Sequence, residues 1–169
     1  MCAQTHLCDS SAKIVSRQAL VAIRDRLRQE RRKVVFTNGC FDLFHRGHLE
    51  SLRQARALGD CLIVGLNSDA SVRALKGSGR PVYNEEDRAE LLAELECVSY
   101  VCLFDENSVE NLVCELSPDI LVKGGDYTSE TIVGHRSVEE CGGRVVVVPL
   151  WPGFSTSEVL SRIRALTSF

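Results

Sequence analysis

The sequence contains no apolar run near the ~20 residues that a membrane-spanning helix needs. Its longest, Cys61–Leu66 and Val145–Trp151, stop well short of that length. No basic segment followed by an apolar stretch opens the chain, so no secretory leader is expected and the expected location is cytoplasmic. No block of basic residues stands out beyond Arg31-Arg32-Lys33, and 20 Lys and Arg against 23 Asp and Glu leave a net charge of −3. A face for nucleic acid normally tips that balance the other way. Neither a nucleic acid nor a membrane is therefore expected as a partner, and any bound phosphate must meet a local site. No two of the eight cysteines stand at CxxC spacing, which argues against a zinc knuckle or a thioredoxin-like dithiol. Cys61, Cys97, Cys102 and Cys114 fall in apolar stretches, where a free thiol behaves as a small hydrophobe. There is also no GxGxxG and no GxxxxGK[ST], so neither a dinucleotide fingerprint nor a Walker A loop is available.

What is present is an alternation. The 169 residues suit one domain at ~100–200 residues each. No repeat, low-complexity segment or linker suggests a second. After a polar tail over residues 1–15, Ser16 predicts the cap of a helix reaching about Glu30, with Ala19, Leu20, Ile23 and Leu27 at helical spacing. Short apolar strands follow at Val34–Thr37, Leu62–Leu66, Tyr100–Phe104, Ile120–Val122 and Arg144–Leu150. Between them lie helical patterns at Gly47–Leu58 (closed by Gly59 as a C′ glycine), Ser68–Leu75, Asn84–Glu96, Ser108–Leu116 and, more weakly, Thr128–Cys141. Ser155 or Thr156 predicts the cap of a last helix, with Val159, Leu160 and Ile163 inward. Near-continuous apolar strands alternating with helices mark a parallel sheet covered on both faces. The expected fold is α/β, a doubly wound five-stranded parallel sheet in a Rossmann-like three-layer sandwich spanning residues 16–169. Ligands in such folds sit outside the carboxyl ends of the strands, where the strand order reverses.

The first strand empties into Thr37-Asn38-Gly39-Cys40-Phe41-Asp42-Leu43-Phe44-His45-Arg46-Gly47-His48. Two of only four histidines stand here at a helix start, where free N–H groups and partial positive charge favour an anion. Gly47 lets a phosphate approach without a Cβ in the way. Taken alone, two histidines three apart more readily fit a structural pair, or a metal pair lacking its third ligand.

Asn38-Gly39-Cys40-Phe41-Asp42 with His45-x-Gly47-His48 resembles the HxGH nucleotidyltransferases, the cytidylyltransferase-like superfamily. The resemblance runs from about Lys33 to Arg164. It takes in Leu75-Lys76-Gly77, Glu86-Asp87-Arg88, Val122-Lys123-Gly124-Gly125-Asp126-Tyr127 and Gly153-Phe154-Ser155-Thr156-Ser157. The Lys-Gly-Gly-Asp-Tyr and Asn-Ser-Asp-Ala-Ser-Val-Arg segments are most similar to the branch that adenylates D-glycero-β-D-manno-heptose 1-phosphate. The resemblance implies transfer of AMP from ATP to that sugar 1-phosphate with release of pyrophosphate, using Mg²⁺ with ATP. It also implies a homodimer and a separate heptose kinase upstream. His45 and His48 are then expected to stabilise charge at the α-phosphorus, and Lys76 to bind phosphate. Thr37, Asn38, Gly39, Cys40, Phe41, Gly47, Arg88, Lys123, Gly124, Asp126, Ser155 and Thr156 are expected around the nucleotide, and Asp42 with Lys76 around the acceptor.

Plainer readings stand beside these. Lys76 suits a solvated loop, and Arg88 suits a partner for Glu85 or Asp87. Asp42 suits a turn, and Ser155 and Thr156 suit a helix cap. Two rival functions remain at this stage: a cytidylyltransferase acting on glycerol 3-phosphate, and a regulatory module that binds nucleotide without turnover.

Overall fold

The computed structural model describes residues 10–125, 128, 131–149, 151 and 153–167. Five strands form one all-parallel sheet: β1 Val34–Gly39, β2 Cys61–Asn67, β3 Tyr100–Phe104, β4 Ile120–Gly124 and β5 Arg144–Val148. Their spatial order is β3-β2-β1-β4-β5. The chain leaves β1 toward one edge and returns to its other side through β4, so the reversal of strand order falls between β1 and β4.

Alternation along each strand divides the core. Val34 and Phe36 of β1, with Cys61 and Ile63 of β2, face a layer that holds Leu20 and Leu27 of α1 (Arg17–Gln29) and Leu112 and Leu116 of α5 (Glu110–Leu116). Val35, Leu62, Val64 and Leu66 point the other way, onto Leu52 of α2 (Arg46–Arg56) and Ala89 and Leu92 of α4 (Glu85–Ala93). Helices α3 (Asp69–Lys76), α6 (His135–Glu140) and α7 (Thr156–Thr167) complete the set. The expected three-layer fold and all five strands are present. Among the described residues no helix is long and apolar enough to cross a membrane.

Ser16 accepts from the Ala19 N–H and Asn84 from the Asp87 N–H, each satisfying one otherwise unpaired donor at a helix start. Three local expectations are corrected. Gly59 is not a left-handed helix terminator, because α2 ends at Ala57 in ordinary helical geometry. A Cβ on Gly59 would instead meet the Val35 Cγ2 at 2.7 Å and the Lys33 carbonyl at 2.9 Å, so the glycine serves close approach to β1. Among the described residues of the helix expected over 128–141, His135–Glu140 are helical, and Gly134 enters that helix at φ 89 with Val113 packed over its α-carbon. Cys114 is exposed, whereas Cys61 and Cys102 are buried as expected and Cys97 is half-buried.

Part of the segment read as a polar tail is bonded into the body. Lys13 Nζ donates to the Ala93 and Leu95 carbonyls, and the Val15 N–H donates to Val101 O. Residues 1–9 lie outside the described ones, as does Asp126.

Candidate active site

The loop after β1 is held in a shape its residues would not choose. Phe41 and Leu43 stand at φ 47 and 50, a left-handed conformation that costs a bulky residue roughly 1–3 kcal/mol. Such strain persists only where neighbours over-determine it, and here they do. The buried carboxylate of Asp42 accepts from the Val82 N–H at 3.0 Å, the Tyr83 N–H at 3.2 Å and Arg80 Nε at 2.5 Å. Thr156 Oγ1 donates to the Asp42 carbonyl, and Arg88 Nη1 donates to the carbonyls of Cys40 and Asn67.

The strained loop delivers His45 as the N-cap of α2 and His48 as its third residue. Their rings stack with centroids 3.8 Å apart and planes 19° from parallel. Phe41 and Phe44 lie against His48 at 5.4 Å each. The His45 N–H donates to His48 Nδ1 at 3.4 Å, so the neutral ring carries its proton on Nε2. Burial, with His45 and Lys76 adding positive charge nearby, pushes His48 down to about 3. Burial also lowers His45. Both rings are therefore neutral near pH 7 until an anion arrives, and an adjacent triphosphate would favour the protonated form. A Cβ on Gly47 would stand 3.0 Å from the His45 ring and 3.2 Å from Phe154 Cβ, so any larger residue there requires those side chains to give way.

The two rings open on a cavity of about 300 Å³ at the carboxyl ends of β1, β4 and β5. Within it stand Thr37, Asn38, Gly39, Cys40 and Phe41 from the end of β1 and its loop, Gly47 from α2, and Lys76 from the end of α3. Lys123 and Gly124 from β4, and Ser155 and Thr156 from the start of α7, complete its expected lining. Lys123 Nζ donates to Asn38 Oδ1 at 3.0 Å, and burial pushes its ammonium below the usual lysine range. Ser155 Oγ accepts from the Glu158 N–H, which makes it the cap, while Thr156 is the first helical residue.

A family model described as cytidylyltransferase-like matches residues 36–162. The chain belongs to the cytidylyltransferase-like family. It is a nucleotidyltransferase by that membership. The chain is 52% identical over 155 residues to the bifunctional protein HldE of Trichlorobacter lovleyi, covering 92% of this chain and 32% of the relative. It is 53% identical over 161 residues to HldE of Syntrophotalea carbinolica, covering 94% and 32%. The chain thus spans about a third of the length of the curated relatives it matches. Among solved structures, a lipopolysaccharide core biosynthesis protein from Thermoplasma volcanium superposes with TM-score 0.58 at 28% identity, over 71% of this chain and 97% of that one. Pantoate-beta-alanine ligase from Francisella tularensis shares the fold, with TM-score 0.63 at 16% identity over 92% and 73%.

Two expected site residues play other parts in this nucleotidyltransferase. Arg88 does not line the cavity. It is 1% exposed, and its guanidinium reaches Asp69 at 2.7 Å, Tyr83 O at 3.0 Å, Cys40 O at 2.7 Å and Asn67 O at 2.8 Å. Its acidic partner is Asp69, neither Glu85 nor Asp87. Asp42 borders the cavity, with its carboxylate accepting from Arg80 and two backbone amides, and its negative charge acts on the His48 imidazole.

Sequence reasoning missed Ser51, Leu52, Val122, Val148, Trp151 and Phe154 as cavity residues. Trp151 lies under the Arg46 guanidinium, 4.9 Å from the ring centroid. Two aromatics between the last strand and a capped helix were the available signal. Among the described residues no three His, Cys, Asp or Glu side chains converge as metal ligands. The donors around the cavity are imidazoles, ammonium groups and hydroxyls, which suit phosphate oxygens, so a divalent cation fits here as part of the nucleotide substrate with water and phosphate ligands.

Two outcomes follow from this geometry. Burial alone would raise the Asp42 carboxyl, but the Val82 and Tyr83 amides and Arg80 outweigh it and hold it below the usual range. A depressed carboxyl contributes stability that is present above its unfolded value of about 3.9 and lost as pH falls through the lower folded value. The gap in urea midpoint between wild type and Asp42→Asn is expected to be wide near neutral pH and to close as pH falls through the depressed folded value. A gap that does not change with pH would contradict the assignment.

Cys40 lines the cavity with its Sγ 4.0 Å from Asn67 Oδ1, and phosphoryl chemistry would ask nothing of a thiol there. Cys40→Ser is expected to keep kcat/KM within roughly threefold of wild type in a pyrophosphate-release assay, a loss below about 1 kcal/mol. Loss of all activity in the folded variant would mean the thiol takes part.

Proposed function

We propose that this domain transfers AMP from ATP to D-glycero-β-D-manno-heptose 1-phosphate, releasing pyrophosphate and forming an ADP-heptose for bacterial surface glycans. The observation that carries the reading is the stacked histidine pair. Both rings line a cavity that also presents the ammonium groups of Lys76 and Lys123, and N–H donors and cations converging on one cavity suit an anionic ligand. The heptose assignment rests on the Lys123-Gly124-Gly125-Asp126-Tyr127 and Asn67–Arg73 segments.

An acceptor phosphate oxygen attacks the α-phosphorus in line, the bond from that phosphorus to the β-phosphate bridging oxygen breaks, and pyrophosphate carries away the electron pair. Attack of phosphate on phosphate needs positioning and charge stabilisation more than a strong base. His48 supplies an Nε2–H to the crowded α-phosphoryl oxygens, and His45 a second donor beside it. Lys76, Lys123 and the first turn of α7 hold the triphosphate. Mg²⁺ bound to the β- and γ-phosphates supplies charge neutralisation. Consumption of ATP supports a cytoplasmic location in this reading, with a kinase of separate origin or on the same longer chain supplying the sugar phosphate.

The test is pyrophosphate release at matched free Mg²⁺ with ATP or CTP against heptose 1-phosphate or glycerol 3-phosphate. ATP with the heptose is expected to lead each alternative by at least ~100-fold in kcat/KM, because a site that hydrogen-bonds several hydroxyls leaves them unpaired with a smaller acceptor. A lead for CTP with glycerol 3-phosphate would overturn the heptose assignment and keep the mechanism. Binding of ATP with no turnover on any acceptor would favour a regulatory module.

A further inference from the structure

Arg46 stands between the two histidines, and the mechanism so far gives it no part. It is the first residue of α2, and its guanidinium lies over the Trp151 ring, 4.9 Å from the centroid. Trp151 lines the histidine cavity, as do His45 and Gly47 on either side of Arg46. Arg46 itself is outside that lining, and its side chain is 57% exposed. The guanidinium is thus a cation at the rim, open to a ligand that enters or leaves.

Its present partners hold it weakly. Glu50, one turn along α2, approaches to 3.5 Å and is shared with Arg53 at the same distance. Among the described residues the guanidinium donates no hydrogen bond, so its five N–H groups are uncommitted within the protein. An exposed ring face and an exposed helical ion pair are marginal attachments for a cation. A guanidinium meeting phosphate makes two parallel charge-assisted bonds, a stronger and better oriented pairing.

Position decides which phosphate it can meet. In the transfer reading His45 and His48 face the α-phosphoryl group. The segment that carries Trp151, Phe154 and Ser155 crosses the start of α2, with Phe154 Cβ only 3.2 Å from where a Cβ on Gly47 would stand. A phosphate chain that begins at the histidines and runs outward along Ser155 and Thr156 ends beside Arg46.

We propose that Arg46 binds the leaving end of the nucleotide, exchanging Trp151 and Glu50 for the β- and γ-phosphates and then for the pyrophosphate they become. The inference rests on the transfer reading above and adds to it a binding residue for a diphosphate group.

Trp151 is the only tryptophan, so its emission reports on the guanidinium above it without a label. Wild type, Arg46→Met and Arg46→Lys are titrated with inorganic pyrophosphate, ATP and AMP at matched free Mg²⁺, following tryptophan emission and the heat of binding. Methionine is a good helix former at an exposed position, so circular dichroism is expected to be unchanged. Pyrophosphate and ATP are expected to shift the wild-type emission and to bind Arg46→Met about tenfold or more weakly. AMP, which lacks the diphosphate, is expected to bind both within about twofold. Arg46→Lys is expected to recover part of the loss, since it keeps the charge and gives up the planar fork. Equal pyrophosphate and ATP affinity in wild type and Arg46→Met would overturn the inference and leave the histidine mechanism standing. AMP weakened as strongly as ATP would make Arg46 a prop for the Trp151 wall and overturn it too. Pyrophosphate binding that leaves the wild-type emission unchanged would overturn the exchange, because the guanidinium would not have left the ring. Failure of wild type to bind any of the three ligands would remove the nucleotide reading of the cavity, and this inference with it.

Discussion

His48→Ala is expected to fold and to lose ~10²–10³ in kcat, about 2.7–4 kcal/mol of transition-state stabilisation. The ring's Nδ1 is engaged by the His45 N–H, so its one free proton sits on Nε2. Burial keeps the ring neutral in the free protein, so its contribution is a directed hydrogen bond whose strength grows as charge builds on the phosphoryl oxygens. His45→Ala is expected to behave alike. The double variant should lose less than the product of the two single losses, because both rings serve one phosphate and stack on each other. The measurement is pyrophosphate release at saturating substrates, with circular dichroism to show that each variant is folded. A folded His48→Ala enzyme retaining more than about a third of wild-type kcat would remove the histidine pair from the mechanism.

Arg88→Met is expected to cost about 3–5 kcal/mol of stability, the range for breaking a buried ion pair from one side. The methionine fills much of the space. It leaves the Asp69 carboxylate and the carbonyls of Cys40, Asn67 and Tyr83 without their donor. For a domain of this size that corresponds to a fall in Tm of roughly 6–20 °C. Pairing the change with Asp69→Asn is expected to recover part of the loss, since no unpaired carboxylate then remains. If Arg88 held nucleotide instead, the single variant would keep its Tm and lose affinity for ATP. That result would reverse the structural assignment.

The α/β architecture, the five strands and the position of the loop that carries His45 and His48 follow from the amino-acid sequence by itself. The reason is that they depend on local pattern. Val34–Thr37, Leu62–Leu66 and Ile120–Val122 are apolar because both sheet faces are covered, and that requirement is written into consecutive residues. Ser16 and Asn84 announce helix starts because a cap bonds only two or three residues ahead. His45 and His48 were legible because they flank a glycine immediately after the first strand, where this topology puts ligands.

What the tertiary structure decided are contacts between segments far apart in the chain. Asp42 and Arg88 each looked like a residue answering to its neighbours, or to a ligand. Asp42 instead binds residues 38–41 positions away, and Arg88 reaches Cys40, 48 positions away. Trp151 and Phe154 became cavity walls only once β5 was laid beside β4 and the next loop was brought over α2. Gly59 and Gly134 are set by Val35, Lys33 and Val113, side chains and backbone that no local pattern connects to them. A periodicity reports which face of an element is buried. Which distant group then meets it is decided by how the elements pack.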